Sequence, residues 1–327
     1  MSPSQTSTIA NSDDASAPQP GRAWLYVLPI LLVPVVLVLT AWFVLPTEWF
    51  RMRSGNTYLA NLGYGTKLHG RTCDILIYGD SSGMAGIDPL LLEQQTGLKA
   101  CNIAEGVGVP EVVHLMPVDD FLAHNARPRF LLFYFSPFNF NMFNDHWNDD
   151  LINSGEGISY LIEHESTGFA LRTLLKHPTS YLSWVESGLR LVLLHGMGKP
   201  YSPDIFKLRD ETGGRFVFPN KPRPACDPST AYRALPDLAF LSYMRAHYAT
   251  GGTQVIVDAA PTPDCDPNLA YYREHVIPYV DNKPYLTLPI SEFSNFGRAH
   301  PNDTGMPKVT AMVATQINAL AHSGGDN

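Results

Sequence analysis

Residues 130–135, FLLFYF, are the most constraining segment of the sequence, because six consecutive apolar residues leave no side for water. A strand of this kind is typical of parallel sheets that are covered by helices on both faces. Residues 74–79 (DILIYG), 99–104 and 253–260 contain similar short apolar runs. Residues 285–290 are a candidate fifth strand. The sequence therefore predicts an α/β fold built on a parallel sheet.

Helical patterns alternate with these strands. Asp88, followed by a proline, is a predicted helix N-cap, and Gly97 is a predicted C-terminal stop, so a helix is expected over 89–96. Other predicted helices cover 110–124, 235–248 and 305–321. The interval between the third and fourth strands is too long for one crossover. We therefore interpret residues 137–234 as a mostly helical insertion.

An uncharged apolar run occupies residues 23–45. At about 1.5 Å per residue it would span roughly 34 Å, enough for a bilayer core of about 30 Å. No small-residue cleavage site follows it, so we interpret 23–46 as an uncleaved transmembrane anchor. It would separate a disordered cytoplasmic tail, residues 1–22, from a linker, 47–71, and an α/β domain, 72–327.

Charge bears on orientation and on partners. One arginine precedes the apolar run, while Arg51, Arg53 and Lys67 follow it, and this count taken alone weakly favours a cytoplasmic body. The net charge is −8 and the chain has no long basic run. A general nucleic-acid-binding role is therefore excluded.

The four cysteines fall into two pairs of similar surroundings. Cys73 and Cys101 lie in or beside apolar strand-like runs and are predicted to be buried thiols. Cys226 and Cys265 lie in the polar loops ACDPS and DCDPN, where a disulfide is possible in an oxidising compartment. No C-x-x-C pair indicates zinc or redox chemistry.

Two segments carry side chains suited to nucleophilic catalysis, and the first is Gly79-Asp80-Ser81-Ser82. It follows the first strand, and parallel sheets bind ligands beyond the carboxyl ends of their strands. Gly79 would let the backbone turn tightly, and the Ser81 N–H is a candidate oxyanion donor. The tetrapeptide is also an ordinary turn sequence, so it is weak evidence alone.

The second segment, AHPNDTG from Ala299, precedes the last predicted helix. His300 could reach back over the sheet to a serine after the first strand, because nucleophile and base of such sites come from distant parts of a chain. Asn302 or Asp303 would cap the helix. A single one of the 11 histidines is more often a surface residue, so the argument depends on both segments.

Taken together, the segments GDSSGMAGIDPLLLE from Gly79, CNIAEG from Cys101 and HPNDTG from His300 resemble the SGNH (GDSL-type) hydrolase superfamily. They are most similar to membrane-anchored SGNH-like proteins of bacterial polysaccharide O-acylation, such as the alginate O-acetylation proteins and the D-alanyl-transfer protein DltD. This resemblance implies a flavodoxin-like, three-layer α/β domain. It covers about 72–136 and 250–321, not the insertion.

The resemblance also implies catalytic roles. Ser81 matches the nucleophile, His300 the general base, and Asp80 the acidic residue of the first block. The family has an Asp three residues before the His, and this position is Gly297 here. The alternatives for orienting the imidazole are Asn295, Asp303 and Asp258.

An oxyanion hole is implied as well. Besides the Ser81 N–H, the resemblance assigns a backbone donor to Gly106, with Gly108 as the alternative. Asn139 is the candidate side-chain donor, with Asn141 next. Phenylalanines alternate with these asparagines, so a packing role for the segment is the competing interpretation.

The implied function is that of an O-acyltransferase or acylesterase acting on an extracytoplasmic polysaccharide, with no cofactor and no metal. Its partner would be a membrane-bound O-acyltransferase or a polysaccharide synthase complex, and its body would face the periplasm from a single-pass inner-membrane anchor. The alternative is an inactive SGNH-like subunit that binds glycan or scaffolds such a complex.

A flavodoxin-like ligand-binding module is disfavoured, because no glycine-rich phosphate loop follows the first strand. The cluster NDHWNDD at 144–150 is interpreted as a solvated loop.

Overall fold

The structure is a computed structural model. It describes residues 24–43, 47, 64–65, 67–105, 115–141, 162–163, 166–176, 193, 197, 205–217, 221–230, 232–233, 235–295 and 299–323. The helices are α1 Trp24–Phe43, α2 Ser81–Gly86, α3 Pro89–Thr96, α4 Met116–His124, α5 Thr167–Lys176, α6 Ile205–Glu211, α7 Leu238–Tyr248, α8 Leu269–His275 and α9 Met306–Ser323. The strands are β1 Ile75–Gly79, β2 Ala100–Asn102, β3 Phe130–Phe135, β4 Gln254–Ala259, β5 Thr262–Pro263 and β6 Thr287–Leu288. The predicted tail, most of the linker and the NDHWNDD cluster lie outside the described residues, as does much of the insertion.

Four of the strands form a parallel sheet in the order β2–β1–β3–β4. All six residues of β3 are buried, as its apolar sequence requires. In register, Gly79 at the end of β1 lies opposite Tyr134, and Tyr134 lies opposite Asp258 of β4. The predicted α/β fold with a parallel sheet is confirmed.

Helices cover both faces of this sheet. On one face, α3 and α9 contribute Leu92 and Val313 to a core with Ile77 and Leu132. On the other face, α4 and α7 pack against a second core that includes Phe133. Because all strands are parallel, their carboxyl ends open at one edge of the sheet, which is where the candidate catalytic residues follow β1.

The prediction of a fifth strand at 285–290 is wrong for this sheet. Only β6 forms there, and it pairs with β5 in a separate two-stranded sheet. The outer edge of β4 is bonded instead by a loop: Asp281 donates its N–H to Val257 O and accepts from Val257 N, both at 2.8 Å. The Asn282 amide bonds to both the N–H and the carbonyl of Ala259. Asp281 and Asn282 therefore occupy the hydrogen-bonding positions along β4 that a neighbouring fifth strand would need.

The predicted helix over 89–96 is confirmed together with its caps. The Asp88 carboxylate accepts from Leu90 N and Leu91 N, and Gly97 adopts the left-handed conformation at φ 71°. At the last helix, the side chain that caps the preceding turn is Asn302, whose Oδ1 accepts from Thr304 N at 2.9 Å. Asn302 therefore holds the turn that leads into the helix, and among the described residues neither candidate side chain bonds to an N–H of the helix itself.

The cysteine prediction is half right. Cys226 and Cys265 form the disulfide that their loops suggest, with their Cα atoms 6.0 Å apart. Cys73 and Cys101 are not thiols but a second disulfide, with Cα atoms 5.9 Å apart. Parallel pairing of β1 with β2 brings these two residues together, which the local sequence around each does not reveal.

Helix α1 coincides with the predicted anchor, and its described side chains are exposed, including Tyr26, Ile30 and Phe43. Within the described part of the chain, no helix combines the length and the apolarity needed to cross a membrane.

Candidate active site

Ser81 and His300 meet at the carboxyl end of β1. His300 Nε2 lies 2.7 Å from Ser81 Oγ, although 219 residues separate them in the sequence. Ser81 is the first residue of α2 and is partly exposed, whereas His300 is only 7% exposed. This is the contact that a serine nucleophile and its general base require.

Gly79 places the backbone that carries Ser81. A Cβ atom at this position would lie 1.8 Å from the carbonyl oxygen of Tyr134, so no larger residue fits. Gly79 is not among the glycines with positive φ. The glycine is therefore needed for close approach of β1 to β3, and the turn that follows it does not require a positive φ.

The Asp80 carboxylate is buried and links α2 to the chain after β3. One oxygen accepts from the backbone N–H and the hydroxyl of Ser82, which caps α2. The other accepts from Ser136 N at 2.8 Å and from Asn139 Nδ2. Asp80 therefore positions α2, which carries Ser81, and its carboxylate bonds to these groups rather than to the His300 imidazole.

The segment that carries His300 is held against residues 292–294. The His300 carbonyl accepts from Ser294 N at 2.8 Å, and Phe293 forms an antiparallel bridge with Pro301. Asn302 donates its N–H to Glu292 O at 2.9 Å and its side chain to Ser291 O at 2.7 Å. These bonds fix the backbone on both sides of the histidine.

The structure places none of the three alternative orienting side chains on the His300 ring. Asn295 and Asp303 are exposed. Asp258 is buried, and its Oδ1 accepts from Gln316 Nε2 at 3.0 Å, while Oδ2 has no hydrogen-bond partner among the described residues. Burial raises the pKa of Asp258 to about 7. Gly297, where the family has its Asp, lies outside the described residues.

The candidate oxyanion donors are only partly described. Gly106 and Gly108 lie outside the described residues, but Glu105 just before them donates its N–H to Gly79 O at 2.9 Å. Asn139 is beside the site and gives one amide hydrogen to Asp80, which leaves the second hydrogen of Nδ2 for another acceptor. Asn141 is partly buried.

Asn102, at the end of β2, is a positioning residue that the sequence reasoning missed. Its buried amide donates to Gly83 O at 2.9 Å and to Ile87 O at 3.3 Å, and its Oδ1 accepts from Ala104 N at 3.0 Å. It thereby joins α2, which carries Ser81, to the loop that leads to Gly106. The sequence signal that could have identified Asn102 is a polar asparagine at the end of a buried strand.

Arg209 from the insertion was also missed, and nothing in its local sequence marks it. It is fully buried, and its Nη2 donates to Asn102 O and Ala104 O at 3.0 and 2.9 Å. The guanidinium also lies 4.1 Å from the centroid of the Tyr64 ring. Burial lowers the pKa of Arg209 to about 10, so it stays charged at neutral pH. The insertion therefore holds the β2-end loop in place.

The insertion contacts the other parts of the site as well. Phe216 donates its N–H to Met84 O of α2 at 3.0 Å. Further along, Arg223 N donates to Phe293 O at 2.9 Å, next to the segment that carries His300. The insertion thus contacts both α2, which carries Ser81, and the segment that carries His300.

Comparison with known proteins finds no matching family model, no matching curated protein and no matching solved structure. The site is therefore interpreted from its own geometry.

Proposed function

We propose that this protein is an acyl-transferring enzyme, an O-acyltransferase or acylesterase with Ser81 as nucleophile and His300 as general base. The observation that carries the proposal is the 2.7 Å contact between His300 Nε2 and Ser81 Oγ at the carboxyl end of a parallel strand. Asp80 and Asn102 support it, because the buried side chains of both form hydrogen bonds that hold α2, the helix that begins with Ser81. The motif resemblance to the SGNH superfamily points to the same chemistry.

In the proposed reaction, Ser81 Oγ attacks the acyl carbonyl while His300 Nε2 takes its proton. The negative charge on the carbonyl oxygen is stabilised by the Ser81 N–H, Gly106 N–H and the second hydrogen of Asn139 Nδ2. His300 returns the proton to the leaving oxygen or sulfur, and an acyl-Ser81 ester remains. A hydroxyl then attacks this ester, losing its proton to His300, and Ser81 is restored. If the hydroxyl belongs to a sugar the result is transfer, and if it is water the result is hydrolysis.

The proposed substrate is an extracytoplasmic polysaccharide, and the proposed partner is a membrane-bound O-acyltransferase or polysaccharide synthase complex. Both come from the motif resemblance. The strand order β2–β1–β3–β4 supports the flavodoxin-like, three-layer arrangement of that family, because it matches the first four positions of the flavodoxin-like order.

The proposed location is the periplasmic side of the inner membrane, with residues 23–46 as anchor. Two disulfides that use all four cysteines support an oxidising compartment. The anchor itself is supported by the uncharged run in the sequence.

A non-catalytic SGNH-like subunit is the second candidate function. It is favoured by Gly297, which stands where the family has the Asp that orients the imidazole. Loss of that carboxylate alone typically costs about 10⁴-fold in rate. Such a subunit would bind glycan or scaffold the acylation complex.

Covalent labelling by a serine-reactive fluorophosphonate separates these candidates. We expect the full-length protein to be labelled, and Ser81→Ala to abolish labelling. Ser82→Ala is the matched control, because Ser82 is adjacent but its hydroxyl is buried and donates to Asp80. Labelling that survives in Ser81→Ala would refute the nucleophile, and a folded wild type that is never labelled would favour the non-catalytic subunit.

Alkaline phosphatase fused after Asn327 tests the location. We expect an active fusion, because the phosphatase folds only where its disulfides form and both disulfides of this chain need the same conditions. Mass spectrometry of the alkylated, non-reduced protein should find no modified cysteine. An inactive but well-expressed fusion with four alkylated cysteines would place the body in the cytoplasm.

A further inference from the structure

Three side chains that commonly bind metals lie together at the end of the sheet opposite the candidate active site. Asp120 and His124 are one turn apart on α4, just before β3, and His69 comes from the chain that leads into β1. One donor atom from each of the three lies within 4.8 Å of the others. Two imidazoles and one carboxylate are a typical ligand set for Zn²⁺.

The two histidines are held together by the backbone around them. Their rings are stacked, with centroids 4.3 Å apart and planes 15° from parallel. Neighbouring residues join the two chain segments through hydrogen bonds from Gly70 N to His124 O (3.1 Å), Arg71 N to Asn125 Oδ1 (2.7 Å) and Ala126 N to Arg71 O (3.0 Å). The side-chain amide of Asn125 also donates to Leu68 O. Local folding thus holds the two chain segments together before any ion binds, and the stacked rings would turn about their side-chain bonds so that their in-plane lone pairs point at one ion.

The hydrogen bonding of His124 leaves one ring nitrogen suited to a metal. Its Nδ1 lies 2.9 Å from the backbone carbonyl of Asp120, and because a carbonyl only accepts, Nδ1 must carry the hydrogen. The Nε2 lone pair is then available, and the Asp120 carboxylate, whose Oδ1 lies 3.5 Å from Nδ1, would turn toward the ion. Metal-ligating histidines in proteins usually donate their other N–H to a carbonyl or carboxylate in this way.

We propose that His69, Asp120 and His124 form a binding site for a divalent transition ion, Zn²⁺ in the first place, with water completing a tetrahedral set. The ion would link the chain before β1 to α4 and so fix the point where the linker enters the domain. Nothing in this proposal depends on the Ser81–His300 site. It also goes beyond the sequence, which led us to expect no metal.

Isothermal titration of the EDTA-treated full-length protein with ZnCl₂ tests the site. We expect one tight equivalent of Zn²⁺, and a loss of affinity of at least about tenfold in His69→Ala and in His124→Ala, as for lost metal-site contacts in general. His275→Ala is the matched control. His275 also has a carboxylate nearby, Glu274 at 3.8 Å, but the ring next to it is Tyr271, tilted by 54°, and not a second histidine.

The melting temperature, measured with and without Zn²⁺, separates loss of the metal site from a folding defect in the variants. Zn²⁺ should raise the melting temperature of the wild type and of His275→Ala, and leave those of the two cluster variants unchanged. Mg²⁺ should produce no shift, since it prefers an all-oxygen set. Wild type without tight binding, or cluster variants that bind as well as wild type, would overturn the proposal, as would an equal loss in His275→Ala.

Discussion

Asp80→Ala should destabilise this protein by about 3–7 kcal/mol. The Asp80 carboxylate accepts from two backbone N–H groups, a hydroxyl and an amide, and all of these surround a fully buried side chain. Loss of a helix N-cap costs about 1 kcal/mol, and each buried donor left without an acceptor costs about 1–3 kcal/mol. Replacement by Ala removes the cap. It also leaves Ser136 N and the Ser82 hydroxyl without an acceptor. Urea unfolding followed by near-ultraviolet circular dichroism measures the change.

Asp88→Ala is the control for this effect. Asp88 caps the next helix, α3, through two backbone N–H groups, and it also lies 3.6 Å from Arg215, but its surroundings are partly exposed. Water can replace the lost acceptor there, so we expect a cost of only about 1 kcal/mol. Equal costs for the two variants would show that Asp80 is an ordinary cap and that the link to the chain after β3 is energetically unimportant.

Local signals in the sequence predict those features that are themselves local. The apolar run at Phe130–Phe135 and the caps around Pro89–Thr96 each determine the structure of their own segment, and both predictions are confirmed. The closeness of Ser81 and His300 could be anticipated only because both segments carry recognisable motifs. Two motifs that belong to one kind of site predict that distant segments meet, whereas a single serine or histidine does not.

The failed or missing predictions concern contacts between distant segments. The Cys73–Cys101 disulfide depends on the register of β1 with β2, and the missing fifth strand depends on Asp281 and Asn282 reaching the edge of β4. Arg209 acts from an insertion with no motif, through backbone carbonyls that any sequence would supply. Such contacts are set by tertiary packing, so inspection of each segment alone does not reveal them.

Asp258→Asn should remove a large pH dependence of stability. The Asp258 carboxyl is buried under α9, where Gln316 gives it one hydrogen bond, and its second oxygen has no partner among the described residues. This poor solvation of the charge raises the pKa from 3.8 to about 7. The native state therefore keeps its proton up to neutral pH, whereas the unfolded chain loses it near pH 4. Between these values the unfolded state binds fewer protons, so wild-type stability falls as the pH rises, by about 4 kcal/mol at most.

The amide side chain that this change introduces does not titrate, so the stability curve of the variant should be flat where that of the wild type slopes. Below about pH 4, both the native and the unfolded wild type carry a neutral acid, and the two proteins should differ little. At pH 8 the wild type must hold a buried carboxylate, and Asp258→Asn should be more stable, a rare gain from changing a buried residue. Asp264→Asn, at an exposed site, controls for the loss of one negative charge. Parallel curves for wild type and Asp258→Asn between pH 5 and 8, measured by urea unfolding, would mean that Asp258 is ionised in the native state. The carboxylate would then need a partner from the residues that the structure does not describe.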